Sequence, residues 1–338
     1  MSVQKHVLLR NQWVNGWEFG IVRAFENTIA AITGAEIINY PERPISQSWM
    51  KHIGHGMDRD WIRTFLPKTT FHIEADVLWL ILMGPENLEL DLYKGWQQNA
   101  KKKVVYLCDT LPMQMENIKK LFSNNSFDIC ITAFEEAVPF LENATNRKWY
   151  GLVQAAPKDL FVSAAYEERV IHFSNYGRRF PLFHEALINF CDKKKLYYDY
   201  TTHDGKHPAV PAEELYKQYA WHVSHSLFNV SWPVEMTSPD RAGYLRPITP
   251  RWFEAGLAGC IVIGKGPHNP KFTAELCENM VEEIDPYTSL ENIYSQLDSL
   301  WNRREDLFKK SQLIREANLE RWNWAARVNY ILTLLDKL

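Results

Sequence analysis

What this chain lacks narrows its class first. Its 338 residues include five cysteines, none in a CxxC pair, which excludes a disulfide-stapled scaffold and a paired-cysteine zinc module. Cys108, Cys130 and Cys260 lie in strand-like runs and Cys191 and Cys277 in helical ones, and all five read as reduced, packed thiols. No stretch approaches the roughly 18 uninterrupted apolar residues of a membrane span. The start, MSVQKHVLLRNQW, shows no signal-peptide apolar region or small-residue cleavage site, so a cytoplasmic chain is expected and the glycosylation-like triplets at Asn124, Asn143 and Asn229 are discounted. Charge of one sign is missing too. With 38 basic and 41 acidic residues the net charge is −3, too balanced to attract nucleic acid, and peripheral membrane association would need a local basic patch. His52 and His55, with Asp58 and Asp60, are the nearest approach to a metal-ligand cluster. That His-xx-His spacing in a glycine-containing loop falls short of a metal signature, and no metal is expected.

What remains is ordinary soluble composition, 46% hydrophobic and 23% charged, in a chain long enough for two separate cores. Strand-like and helical runs alternate, the pattern of α/β folds with parallel sheets. Strands are expected near His6–Leu9, Glu36–Tyr40, Val77–Met83, Val104–Cys108 and Phe127–Ala133, with a helix over Ile21–Ile32. The pattern restarts at Val170–Ser174, followed by the turn Asn175–Arg179 and a helix over Pro181–Cys191. Further strands fall at Leu196–Tyr200, Val223–Val230, Cys260–Ile263 and Met280–Ile284, and Pro211 opens another helix. From about Glu305 onward the pattern is helical. The boundaries read as 1–157, 158–320 and a closing segment 321–338.

The richest segment is Leu245–Lys265, LRPITPRWFEAGLAGCIVIGK. Thr249 suits an N-cap and Pro250 the first helical position, while Gly259 marks the helix end before a buried strand. Arg251, Glu254, Ala255 and Ala258 share one helical face, two charged groups beside residues too small to cover them, so that face is expected to have room for a ligand. A helix N-terminus offers unpaired N–H groups and partial positive charge, and with Arg251 beside it would suit a phosphate. The competing view is an ordinary i,i+3 pair on a surface helix.

Other candidates sit where strands end. Asp109 closes VVYLCD and would project at the carboxyl edge of the first sheet, as a base for a hydroxyl proton or as a helix cap. His55 is a comparable base. In the loop after the first strand, Asn15-Gly16-Trp17-Glu18-Phe19-Gly20, glycines such as Gly16 allow the backbone to approach a sugar or phosphate, although the dinucleotide fingerprint is absent. Trp13 and Trp17 could stack on a sugar or belong to a core. His6 and His172, inside strands, read as satisfied core histidines.

The Arg251-Trp252-Phe253-Glu254-Ala255 run, its small-residue turn and its strand resemble the nucleotide-binding helix of GT-B glycosyltransferases, nearest the spore-maturation-type branch. The resemblance implies an α/β GT-B fold of two Rossmann-like domains with parallel sheets facing across a cleft. The first would bind an acceptor, the second a nucleoside-diphosphate sugar, and the last helix would cross back. In that family Glu254 would hold the ribose, and the basic residues after Gly177, Arg178 and Arg179, would lie against the donor phosphates. Thr249 and Arg251 would stand at the same phosphates, Arg251 acting on the leaving group. The family's related two-glutamate pattern would place another glutamate at the position of Arg246. The Arg321–Arg327 tail, RWNWAAR, resembles the family's closing motif. Metal-independent sugar transfer to a carbohydrate, lipid or small-molecule hydroxyl is thus the expected function, with no cofactor besides the donor substrate. An epimerase or hydrolase on the same fold, or a non-catalytic glycan- or nucleotide-binding protein, are the alternatives.

Overall fold

The structure is a computed structural model that describes residues 4–12, 19–42, 68–85, 90, 92–201, 210–277 and 279–338. Gly16 and His55 lie outside the described residues, as do Trp13, Trp17, His52, Asp58 and Asp60. The chain divides into two compact units, one of Met1–Asn15, Glu26–Leu152 and Leu334–Leu338, the other of Gly16–Phe25 and Val153–Thr333.

The first unit begins with β1 (His6–Arg10), α1 (Gly20–Thr33) and β2 (Glu36–Asn39), α1 having its first residues in the second unit. It continues through β3 (Ala75–Leu82), β4 (Ala100–Leu107), α2 (Met115–Asn124), β5 (Ile129–Thr132), α3 (Val138–Thr145) and β6 (Trp149–Gly151). These strands form a six-stranded sheet in the order β2-β1-β3-β4-β5-β6, every pairing parallel. Val77–Leu80, Val104–Leu107 and Ile129–Ile131 are nearly or fully excluded from solvent. Such runs lack alternation because a parallel sheet is covered on both faces.

The second unit contains β7 (Ile171–Asn175), α4 (Pro181–Lys194), β8 (Tyr198–Tyr200), α5 (Ala212–Ser224), β9 (Ser226–Ser231), α6 (Pro250–Leu257), β10 (Ile261–Gly264) and β11 (Val281–Glu283). Three helices follow, α7 (Leu290–Asn302), α8 (Arg304–Asn318) and α9 (Trp324–Leu335). The five-stranded parallel sheet runs β8-β7-β9-β10-β11. Both sheets therefore reverse direction beside their first strand, between β1 and β3 and between β7 and β9. In open α/β sheets the crevice at the carboxyl end of such a reversal is where ligands bind.

Local chemistry explains the helix limits. Pro181 sits in the first turn of α4, while Lys193 and Lys194 complement the negative end of its dipole and Lys195 closes it at φ +58°. The α7 N-cap is Ser289, whose hydroxyl accepts from the Asn292 N–H at 3.3 Å. Val223, expected in a strand, stays within α5, because the Ser226 hydroxyl donates back to the His222 carbonyl at 2.7 Å and extension begins only there. The helical run expected from about Glu305 is broken before Trp324, where Asn323 instead makes a parallel bridge with Ala156.

Candidate functional site

The site is assembled at the carboxyl edge of the second sheet. β7 ends at Asn175, and the chain turns through Tyr176 and Gly177 at φ +140°, a backbone that side chains with a Cβ rarely adopt. Gly177 is also needed for space, since a Cβ there would fall inside the Arg251 guanidinium. Two of the residues singled out in sequence, 74 positions apart, thus meet. Thr249 takes the N-cap position of α6 with extended backbone, but its side chain makes no capping hydrogen bond. The first-turn N–H groups are therefore not claimed by it.

Glu254 departs from the expected picture. The helical face of Glu254, Ala255 and Ala258 is not open: all three are 3% exposed or less. The Glu254 carboxylate accepts hydrogen bonds from the Tyr216 hydroxyl at 2.7 Å and the Tyr219 hydroxyl at 2.8 Å, both from α5. The face that spacing left bare is covered by tyrosines from another helix. Burial pushes the Glu254 carboxyl above its ordinary value, opposed by the two hydroxyls and by the Arg251 charge. Burial, reinforced by Glu254, holds both tyrosines protonated, so they remain donors. Tyr219 packs edge-on against Tyr176 at 5.3 Å, and Tyr176 donates to Asp199 at 2.8 Å. Asp199 also takes His222 Nδ1 at 2.6 Å. Glu254 and the loop before Gly177 are thereby joined through Tyr219 and Tyr176, and the Arg251 charge acts on Glu254.

The other candidates are distributed differently. Arg179 donates to the Thr201 carbonyl at 2.6 Å, contacts His184 Nε2 at 3.1 Å and lies over the Tyr200 ring, so its planar head packs on β8 and α4. Arg178 is half-buried between Gly177 and Arg179. Arg246 donates to the carbonyls of Gly243 and Leu245 at 3.1 and 2.9 Å in the segment before α6. In the first unit, Asp109 follows β4, half-buried, its backbone N–H donating to the Met83 carbonyl at 2.7 Å. The next short helix is capped at Leu111, not at Asp109. His6 and His172 are half-buried and accept at Nδ1, from Trp79 Nε1 at 3.1 Å and the Tyr197 N–H at 2.9 Å. Burial lowers the pKa of both.

Sequence reasoning missed Tyr216 and Tyr219. Their i,i+3 spacing put both on one face of a recognised helix, but nothing local to them reveals a carboxylate 35 to 38 positions away.

No family model matches the sequence, and no curated protein matches it. Among solved structures, the chain is similar to a sucrose-phosphate synthase from Thermosynechococcus elongatus, with TM-score 0.55 and 11% identity over 99% of this chain and 98% of that one. It is also similar to a glycosyltransferase from Rickettsia africae, with TM-score 0.53 and 11% identity over 100% and 99% of the two chains. At that identity the likeness is one of fold. The chain has the α/β architecture of the GT-B class, with a six-stranded and a five-stranded parallel sheet.

Proposed function

We propose that this chain is a glycosyltransferase whose second unit binds a nucleoside-diphosphate sugar and whose first unit holds the acceptor hydroxyl. The observation that carries this reading is the placement of the Arg251 guanidinium over Gly177 at the β7–β9 reversal, beside a helix N-terminus whose cap side chain makes no capping hydrogen bond. A diphosphate suits that combination of a guanidinium and a helix dipole. In the reaction the acceptor oxygen bonds to the anomeric carbon as the bond from that carbon to the diphosphate oxygen breaks. Asp109 takes the acceptor proton in this reading, and negative charge grows on the departing diphosphate. Arg251 meets that charge, so its contribution is larger in the transition state than in the bound donor, and no metal ion is required. Glu254 acts through Tyr216 and Tyr219, fixing the helix pair beneath the donor rather than lying open to it. The Arg251–Ala255 run favours the spore-maturation-type branch within this class.

Calorimetry with UDP, GDP, ADP, CMP and their sugars tests the reading. One of them should bind the wild type, and Arg251→Ala should lower turnover more than it lowers donor affinity. A wild type that binds none, or an Arg251→Ala enzyme with unchanged turnover, would refute it.

A further inference from the structure

A second set of polar atoms lies at the same edge, in the segment leaving β9. Trp232 is 6% exposed, its ring held edge-on by Phe180 at 4.9 Å and Phe183 at 5.1 Å, and its indole N–H has no hydrogen-bond partner among the described residues. Three residues on, Glu235 Oε1 accepts the His268 backbone N–H at 3.1 Å, whereas the buried Oε2 has no hydrogen-bond partner among the described residues. Burial pushes this carboxyl up, and the His268 amide with the charges of Arg246 and His268 draws it down. An indole donor and a carboxylate oxygen, each withdrawn from water and unsatisfied, cost the fold about 1–3 kcal/mol apiece. Such groups persist where a ligand supplies the partners. Phe180 lies three residues beyond Gly177, so its contact with Trp232 joins this segment to the Arg251 loop across the β7–β9 reversal.

The chemistry of the pair selects its ligand. A carboxylate accepts hydrogen bonds and repels phosphate, which offers no proton to give. An indole N–H only donates. A sugar hydroxyl does both and carries no charge. We propose that Trp232 and Glu235 form the subsite for the sugar ring of the donor, Glu235 accepting from one hydroxyl and Trp232 Nε1 donating to another. This inference rests on the donor reading above and assigns the sugar and the diphosphate to different loops of one crevice.

The experiment compares each nucleoside diphosphate with its sugar conjugate, using UDP, UDP-glucose, UDP-N-acetylglucosamine, GDP, GDP-mannose, ADP and ADP-glucose, on wild type, Glu235→Gln and Trp232→Phe. The expected result is that both variants bind the free diphosphate within about twofold of wild type and the sugar conjugate about tenfold or more weakly, the loss of one hydrogen bond to a buried polar partner. Two results overturn the subsite while leaving the donor reading intact: equal losses for diphosphate and conjugate, or no loss for either. A changed KM for the acceptor with unaltered conjugate affinity would move the pair to the acceptor and overturn the donor assignment. If the wild type bound nothing in the panel, both readings would fall together. Trp232→Phe keeps the ring that Phe180 and Phe183 grip, so it serves should Glu235→Gln fail to fold.

Discussion

Replacing Gly177 by alanine separates the two demands placed on that position. The first is conformational: at φ +140° a residue with a Cβ is strained, at a cost of about 1–3 kcal/mol. In a unit of this size each kcal/mol lowers Tm by about 2–4 °C. The second demand is spatial. The new methyl would occupy the place of the Arg251 guanidinium, which being the far end of a flexible side chain would swing away rather than break the fold. If that guanidinium holds a diphosphate, its displacement forfeits a charge-assisted hydrogen bond of about 1.5–3 kcal/mol, or roughly 10- to 150-fold in affinity. Calorimetry and thermal melting on Gly177→Ala, Arg251→Ala and the double variant distinguish these contributions. Gly177→Ala should lose both Tm and affinity, and Arg251→Ala mainly affinity. The double variant should bind no more weakly than Arg251→Ala alone, since the glycine acts on the ligand through the arginine. Additive losses in binding, or a Gly177→Ala protein with wild-type affinity, would refute the reasoning.

Glu254→Gln should lower unfolding free energy by about 1–3 kcal/mol in denaturant titrations, because one of the two buried tyrosine hydroxyls loses its acceptor. Unchanged stability with lost nucleotide affinity would return Glu254 to direct ribose contact. Acid should also weaken the fold between the ordinary histidine pKa, about 6.5, and the lower folded values of His6, His172 and His184. His184 is lowered by burial and then by Arg179, so in that window the unfolded chain binds more protons, and stability is full above the window and falls as pH drops through it. Urea unfolding from pH 7.5 to 5.5 should show the decline, shallower in His184→Gln. A flat profile would contradict the lowered pKa values of these half-buried histidines. Glu254 works oppositely: its raised folded pKa gives a contribution present below about 4.5 and lost as pH rises through the folded value.

The parallel sheets could be read from sequence because their strands are covered on both faces, so Leu78–Leu82 or Val104–Leu107 appear as unbroken apolar runs. Trp149–Gly151 was missed for the converse reason: three residues at a sheet edge, two of them half-buried, are too few to show a period. In the site, α6 was legible because Pro250, Arg251 and Gly259 carry local instructions for a helix and its ends. The stop is realised as expected, with the Gly259 and Cys260 N–H groups donating to the Gly256 and Ala255 carbonyls at 3.0 Å each. The surroundings of Glu254 were not legible, because coverage by Tyr216 and Tyr219 is a property of tertiary packing. An amphipathic pattern tells which face differs from its opposite, without saying what lies against it.

The packing of α6 extends this point beyond the site. With eight residues it is too short to be stable alone, so its orientation must come from what grips it. At its carboxyl end the grip is polar: Arg315 donates to the Leu257 carbonyl at 2.5 Å, Arg169 to Ala258 at 2.7 Å, and Gln312 and Ser311 to Gly259 at 2.9 and 3.0 Å. Two guanidinium groups at the negative end of a helix are favourably placed, which offsets part of the cost of burying Arg169 to 5% exposure. Along its side the grip is apolar. A Cβ on Gly256 would lie 2.5 Å from Trp322 Cζ3, and Trp322 is anchored in turn by donation to the Glu275 carbonyl at 3.0 Å. The donors at the carboxyl end come from α8 and from the approach to β7, and the tryptophan from the segment before α9. None of them is near Arg251 in sequence. Nearer its start the helix is held by Trp252, edge-on against Phe272 at 5.3 Å, by Arg327 over the Phe253 ring at 5.7 Å, and by the two tyrosines on Glu254, so that Arg251 meets Gly177 from a helix gripped along its whole length. Trp322 and Arg327 of the closing aromatic and basic segment thus share with α8 and Arg169 in fixing the direction in which α6 points, and Arg251 in its first turn inherits that direction.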